Sequence, residues 1–240
     1  MTYTCIDAFC GAGGLSLGLQ QAGYDIVLSF DNDPKCIETH DLNVGTFFRH
    51  KAYLDSIESI INRNLLKVAN LNKGDLFLLA GGPPCQGFSV QRRGDDKDGR
   101  NELVLKFISL VGELMPKYFL MENVRGIMGR RGRAILEQAT RMATELGYRV
   151  IMEVLDAQDY GVPQRRERVF VVGERDFDPS QGYEFPFPTT PVGQRITVWD
   201  AIGDLPEPPQ DGTDHPDIPH HRRDRLSDLN IRRLEALLPG

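Results

Sequence analysis

Several things are scarce or missing in this sequence. Its four cysteines, Cys5, Cys10, Cys36 and Cys85, form no Cys-x-x-Cys pair and no His/Cys zinc spacing, which sets aside a finger-type metal module and suits a reducing compartment. His215, His220 and His221 sit in a Pro-rich loop with no cysteine nearby and read as solvated loop residues, so no metal site is expected. Positive charge is not in excess: 28 Lys+Arg against 34 Asp+Glu leaves −6. That excludes a generally basic protein coating nucleic acid by bulk charge, so any polyanion partner must be held by a local patch. No run of eighteen apolar residues occurs, and MTYTCIDAFCGAGG carries neither a basic segment nor an apolar stretch with a cleavage site. A cytoplasmic protein without a membrane partner is expected. There is no internal repeat.

What is present suits a folded enzyme-sized domain. At about 150 residues per domain, 240 residues suggest one substantial domain with an appendage. A hydrophobic fraction of 40% with 26% charged residues is enough for a sizeable core and excludes wholesale disorder. Short apolar runs at Thr4–Asp7, Ile26–Phe30, Asp75–Ala80, Tyr118–Met121, Val150–Leu155 and Val169–Gly173 read as strands. Helices are expected from the Gly11–Gly14 turn to about Ala22, over Leu103–Leu114, and over Arg130–Leu146 ending at Gly147. This alternation predicts an α/β, doubly wound, mostly parallel sheet over residues 1–175. Nine of the fifteen prolines then fall between Pro179 and Pro219, so residues 176–240 read as an irregular arm. A terminal helix is expected from an N-cap at Ser227, with Leu229, Leu234, Leu237 and Leu238 as its apolar stripe.

Four constellations could carry chemistry. The first is Asp7-Ala8-Phe9-Cys10-Gly11-Ala12-Gly13-Gly14 after the first strand, with Asp31 twenty residues beyond Gly11. Glycines there let backbone approach a ligand, and an acid at the end of the second strand can accept ribose hydroxyls, so an adenosine-type ligand is indicated. A nicotinamide dinucleotide fits less well, because Ser16 occupies the third glycine position of that fingerprint; a plain structural turn is the other reading. The second is Gly81-Gly82-Pro83-Pro84-Cys85-Gln86-Gly87-Phe88-Ser89, where prolines fix and glycines free a loop that presents Cys85 as a nucleophile or, alternatively, buries it as a small core residue.

The third is Glu122-Asn123-Val124, which puts a carboxyl group at the same sheet edge, as a proton donor to a ring nitrogen if partial burial and a nearby anion raise its pKa, or as an ordinary cap or ion-pair partner. The fourth is Gln164-Arg165-Arg166-Glu167-Arg168. Strand alternation points Arg166 and Arg168 to one face, where they could hold a phosphate or a carbonyl oxygen, or form a solvated charge run. Arg125–Arg133, with four arginines and no acid, and Arg222–Arg233, with five arginines against Asp224 and Asp228, are local basic patches of the kind that tracks a phosphate backbone.

Taken in this order and spacing, Asp-x-Phe-x-Gly-x-Gly-Gly, Gly-Pro-Pro-Cys-Gln-Gly-Phe-Ser, Glu-Asn-Val and Gln-x-Arg-x-Arg resemble the cytosine-5 DNA methyltransferase family over roughly the first 175 residues. The resemblance implies a methyltransferase fold of Rossmann type that uses S-adenosyl-L-methionine and releases S-adenosyl-L-homocysteine. It implies that Phe9, Gly11 and Gly13, with Asp7 and Gly14 in the same segment, belong to the cofactor site. Asp31, with Asn32, would hold the ribose, Asp55 and Ser56 would approach the adenine, and Pro83 and Leu103 would pack on the cofactor. Cys85 would add to C6 of a cytosine flipped out of double-stranded DNA, Glu122 would bond N3 and Arg168 would bond O2. Arg166 would supply positive charge, and Pro84, Gln86, Ser89 and Asn123 would contact the base.

Family members continue with a target-recognition region and two further motifs, whereas this sequence stops at Leu237-Leu238-Pro239-Gly240. The expectation is a split enzyme whose second polypeptide supplies the rest, or a fragment of a longer protein, with little activity alone. Restriction-modification and, in a bacterium, association with the nucleoid follow from the same resemblance. Other readings are a catalytically silent subunit that binds cofactor or DNA, an RNA cytosine-5 methyltransferase and, last, a nicotinamide oxidoreductase.

Overall fold

Thr4–Ala8, largely apolar apart from Asp7, forms β1 in the interior of the sheet, and its side chains are buried on both faces from Cys5 onward. The computed structural model describes residues 3–84, 102–130, 132–209, 211–223 and 226–236. After β1 come α1 (Gly14–Gln21), β2 (Asp25–Asp31), α2 (Pro34–Leu42), β3 (Tyr53–Leu54), α3 (Ile57–Asn62), α4 (Leu65–Val68) and β4 (Leu78–Gly81). They are followed by α5 (Glu102–Leu114), β5 (Tyr118–Val124), α6 (Arg133–Glu145), β6 (Arg149–Asp156), β7 (Glu167–Glu174), α7 (Val198–Ile202) and α8 (Asp228–Glu235). The fold class expected from sequence is the one observed: a seven-stranded α/β sheet in the order β3-β2-β1-β4-β5-β7-β6.

Five strands from β3 to β5 are parallel. Strand β7 alone is reversed, antiparallel to both β5 and β6. The reason is local. Only a 3₁₀ turn at Ala157–Tyr160 and Gly161, in the left-handed region at φ 84°, separate β6 from the loop into β7. Without a crossover helix the chain can only fold back on itself.

The alternation of β1 divides the core. Ile6 and Ala8 face the layer of α3, α5 and α6, with Leu79, Phe107, Phe119 and Val171. Cys5 faces the other layer with Leu19 of α1, Ile26, Leu78 and Ala80. Helix α5 buries Val104, Phe107, Ile108, Leu110, Val111 and Leu114, as an apolar segment at the centre of a layer must. Helices α2 and α3, absent from the apolar-periodicity reading, are each set by a cap. Asp33 accepts from the Lys35 N–H ahead of Pro34, and Ser56 accepts from the Ser59 N–H. Helix α6 begins at Arg133, later than expected, because residues Arg125–Met128 form a separate 3₁₀ turn.

By contacts the chain divides into two compact units, Met1–Arg195 and Ile196–Gly240. Residues 176–195 of the proline-rich arm go with the first unit through polar anchors. Tyr183 N–H donates to Glu174 and Tyr160 O–H to the Pro186 carbonyl. Thr189 and Thr190 N–H both reach the Asp159 carbonyl, and Arg195 pairs with the Asp159 carboxylate. In the second unit a Thr197/Asp200 capping box starts α7, and Ser227 caps α8 as expected. Trp199, Leu229, Ile231 and Leu234 are exposed, and no described residue from 196 onward is buried. Leu237 and Leu238 of the expected stripe lie outside the described residues. No described helix is long and apolar enough to cross a membrane.

Gly173 on β7 lies opposite Phe119 in the antiparallel register, and an added Cβ would sit 1.9 Å from the Phe119 ring. Gly173→Ala should lower stability by about 1–3 kcal/mol through overpacking, read as a lower urea midpoint with an unchanged slope.

Candidate active site

The carboxyl ends of the parallel strands open on one edge, where ligands of doubly wound sheets bind. There the chain leaves β1 through alternating left-handed residues: Phe9 at φ 59°, Gly11 at 56° and Gly13 at 96°. This curl turns backbone N–H groups inward. Cys10 N–H donates to the Phe30 carbonyl, and Gly11 N–H donates to Asp31 Oδ2 at 2.9 Å. Asp31 Oδ1 takes the Asp33 N–H, also at 2.9 Å, so one carboxylate ties the turn to the end of β2. The two glycines play different parts. Space beside Gly11 and Gly14 is open, whereas a Cβ on Gly13 would lie 2.4 Å from Phe48 and 2.8 Å from His40. Gly13 is therefore a packing position under the stacked His40 and Phe48 rings, 4.1 Å apart, and Gly11 is the position a ligand can approach.

Phe9, Asp31, Asn32, Asp55, Ser56, Pro84 and Leu103, scattered over nearly a hundred residues, line one hollow beside this turn. Within it Ser56 caps α3, and Asp55 is held by Arg63 at 3.1 Å. Open backbone at Gly11, an acid at the end of β2 and a ring at Phe9 fit the polar and planar parts of an adenosyl ligand. Asp7, placed by resemblance in the cofactor site, does not face the hollow. It is fully buried, with Oδ2 accepting from Ser16 Oγ at 2.6 Å. Ser16, which breaks the dinucleotide fingerprint, is thus a buried link between α1 and β1, a role no sequence spacing announced.

The loop that leads to Cys85 is described only at its root. Cys85, Gln86 and Ser89 lie outside the described residues. Pro83 is buried and its carbonyl accepts from Asn123 Nδ2 at 3.0 Å, while Val124 N–H donates to Asn123 Oδ1. Asn123, expected at the base, is itself buried and instead clamps the loop root to β5. Gly82 sits against Glu122, whose Oε2 would be 3.2 Å from an added Cβ. Antiparallel pairing places Phe170 opposite Glu122 and Arg168 opposite Val124, so Arg168 reaches Glu122 diagonally, with Nε 2.8 Å from Oε1. Glu122 therefore stands in an ion pair with the Arg168 guanidinium.

Glu122, Arg166 and Arg168 share a second hollow of about 410 Å³ with Tyr160, Val162 and Phe170. Two contacts outside the expected set aim these arginines. Asp156 accepts the Arg166 N–H at 2.8 Å, and Arg125 pairs with Glu167 at 2.7 Å. Arg165 is exposed. No cluster of His, Cys, Asp or Glu suited to a metal occurs among the described residues.

The sequence model of a family described as C-5 cytosine-specific DNA methylase matches residues 3–234. The type II methyltransferase M.XorII of Xanthomonas oryzae pv. oryzae is 40% identical over 204 residues, which are 84% of this chain and 46% of that protein. M.AquIA of a Picosynechococcus species is 37% identical over 213 residues, 85% of this chain and 83% of that protein. A crystal structure described as a DNA modification methyltransferase encoded within an E. coli prophage superposes with a TM-score of 0.66 at 31% identity, covering 86% of this chain and 56% of that one. The chain spans 46%, 63% and 54% of three curated relatives, about half their length.

Asn123→Ala should leave the buried Pro83 carbonyl without its donor and cost about 1–3 kcal/mol. Chemical denaturation reads that loss, and Asn123→Asp should not restore it, since a carboxylate cannot donate there.

Proposed function

Because the chain belongs to the C-5 cytosine-specific DNA methylase family, we propose that it carries the catalytic face of an enzyme that methylates cytosine C5 in double-stranded DNA. The observation that carries this reading is the Glu122–Arg168 pair, set beside the root of the Cys85 loop, whose Pro84 borders the hollow beside the glycine turn. N3 and O2 are neighbours on one edge of cytosine, and a carboxyl group beside a guanidinium offers matching groups for them. The base must leave the helix to reach such a recess.

S-adenosylmethionine supplies an electrophilic methyl when bound, and Phe9, Gly11, Asp31, Asn32, Asp55, Ser56, Pro83 and Leu103 are the residues assigned to hold it. The Cys85 thiolate adds to C6, forming a carbon–sulfur bond and pushing electrons to C5. Glu122 meets the electron density that this addition places on N3, and Arg168 does so at O2, so each acts where charge develops. Arg166, on the same face, favours the thiolate by its positive charge. After methyl transfer to C5, passage of the C5 proton to solvent would expel Cys85 as thiolate and restore the aromatic ring. Pro84, Gln86 and Ser89 shape the approach to the base. The basic stretches Arg125–Arg133 and Arg222–Arg233 track backbone phosphates.

Target recognition is assigned to protein beyond these residues, in the same chain or in a second polypeptide. Two observations support this. M.AquIA is itself matched over 83% of its length, so a curated relative of similar span exists. The sheet face beside α1 also has an apolar hollow of about 320 Å³, lined by Leu19, Tyr24, Phe77, Tyr118, Leu120 and Tyr183, where a further element could pack. An enzyme of this kind acts in the cytoplasm, at the nucleoid.

Covalent capture tests the reading. Incubation with S-adenosylmethionine, 5-fluorocytosine duplex and the completing segment should give an adduct stable to denaturing electrophoresis. Glu122→Gln should slow its formation by about 10²–10³-fold and Cys85→Ala should abolish it. An adduct that survives Cys85→Ala overturns the nucleophile assignment. Cofactor binding without any adduct would leave a binding subunit, and capture on RNA alone would change the substrate.

A further inference from the structure

The hollow beside the glycine turn carries side-chain charge of one sign only on its inner surface. Asp31, Asp55 and Glu58 line it, and no basic side chain does among the described residues. Phe9, Ile57 and Leu103 supply apolar wall between them, which suits a flat ring. The cations that answer two of these acids stand outside the lining. Arg63 Nη1 lies 3.1 Å from Asp55 Oδ2, and Lys106 Nζ lies 2.5 Å from Glu58 Oε1. Asp31 is matched by backbone instead, its two oxygens accepting the Gly11 and Asp33 N–H groups.

Each cation reaches its acid for a local reason. Helix α3 has six residues, a length of about 9 Å; Asp55 stands just before its Ser56 cap and Arg63 at its far end. Helical side chains lean toward the amino end, so the arginine returns along this short helix to the residue that precedes it. Asp55 Oδ1 meanwhile accepts the Ser56 N–H at 3.0 Å, which fixes the carboxylate at both oxygens. On α5, Lys106 stands one turn beyond Leu103, so the face that gives Leu103 to the hollow also brings Lys106 to Glu58. That hydrogen bond draws the Glu58 carboxyl below its ordinary value. Arg63 is 62% exposed and Glu58 47%, and ion pairs so open to water add little to folding. Stability does not account for them; their place behind the two wall acids does.

We propose that Arg63 and Lys106 are positioning residues that hold Asp55 and Glu58 as hydrogen-bond acceptors, so that the hollow takes a 6-amino purine and turns away its 6-oxo analogue. This selection rests on the reading that the hollow binds the adenosyl part of S-adenosylmethionine. Sheet order sets which part of the ligand the two acids meet. The strands run β1, β2, β3 outward from the glycine turn, and Asp55 N–H donates to the Asp31 carbonyl at 2.9 Å. A ligand with its sulfur at the turn after β1 and its sugar at Asp31 after β2 brings its base to Asp55 and Glu58 after β3. A carboxylate only accepts, and the 6-amino group of adenine donates. In the 6-oxo purine a lone pair takes the place of that N–H. Without its cation, either acid is free to turn away or to take up a proton, and a protonated carboxyl donates to an oxo group as readily.

Titration calorimetry on the full chain with S-adenosylhomocysteine and with S-inosylhomocysteine, its 6-oxo counterpart, tests the two pairs. The amino form should bind about 10–100-fold tighter. Arg63→Ala and Lys106→Ala should each cut that ratio about fivefold, while the melting temperature hardly moves. Arg63→Lys and Lys106→Arg, which keep the charge, should restore most of the ratio. Equal affinity for both ligands in the unaltered protein overturns the proposal without recourse to any variant. Alanine variants that weaken both ligands alike overturn it too, since a merely structural pair would act in that way. Failure of S-adenosylhomocysteine to bind the unaltered protein would overturn the cofactor reading itself, and the selection with it.

Discussion

The antiparallel insertion of β7 between β5 and β6 is the constraint on which the candidate site depends. Had the chain crossed over with a helix, β7 would run parallel to its neighbours and Arg168 would lie at the opposite end of the sheet from Glu122. Reversal brings the start of β7 to the carboxyl end of β5, and the register sets Arg168 one step diagonally from Glu122. The short connection after β6 enforces the reversal, and Asp156 and Glu167 then hold the two ends of the arginine segment.

From that edge the two hollows follow. One lies beside the glycine turn and is bounded by residues from β1, β2, α3 and α5; the other lies over the face of β5, β6 and β7. The root of the Cys85 loop stands between them, with Pro84 lining the first and Gly82 touching Glu122. Asn123 secures that root from inside the protein. The root of the loop that leads to Cys85 is therefore anchored to the strand that carries Glu122, although thirty-seven positions separate Cys85 from Glu122 in the sequence.

Much of this was legible in the residue order. The strand-glycine turn-helix unit, the central apolar helix and the proline-rich texture all leave local signatures, because propensity and periodicity act over a few residues. Helices α2 and α3 left only caps at Asp33 and Ser56, since each buries just two residues and such short faces show little periodicity. Asp7 and Asn123 were assigned ligand contacts because they stand inside motif segments. Their burial depends on what packs over them from α1 and from the Pro83 loop, and nothing within either segment encodes that neighbour.

By itself the sequence determined the fold class, the family and the set of residue types gathered at one edge of a sheet, because each is written in local pattern and motif order. Only the tertiary structure decided that Arg168 meets Glu122, that Gly13 is shaped by packing while Gly11 stays open, and that the Asp7 carboxyl is buried against Ser16 beneath the turn. Those outcomes come from strand register and side-chain burial, which bring together groups far apart in the chain and set the dielectric and the partners that each one experiences.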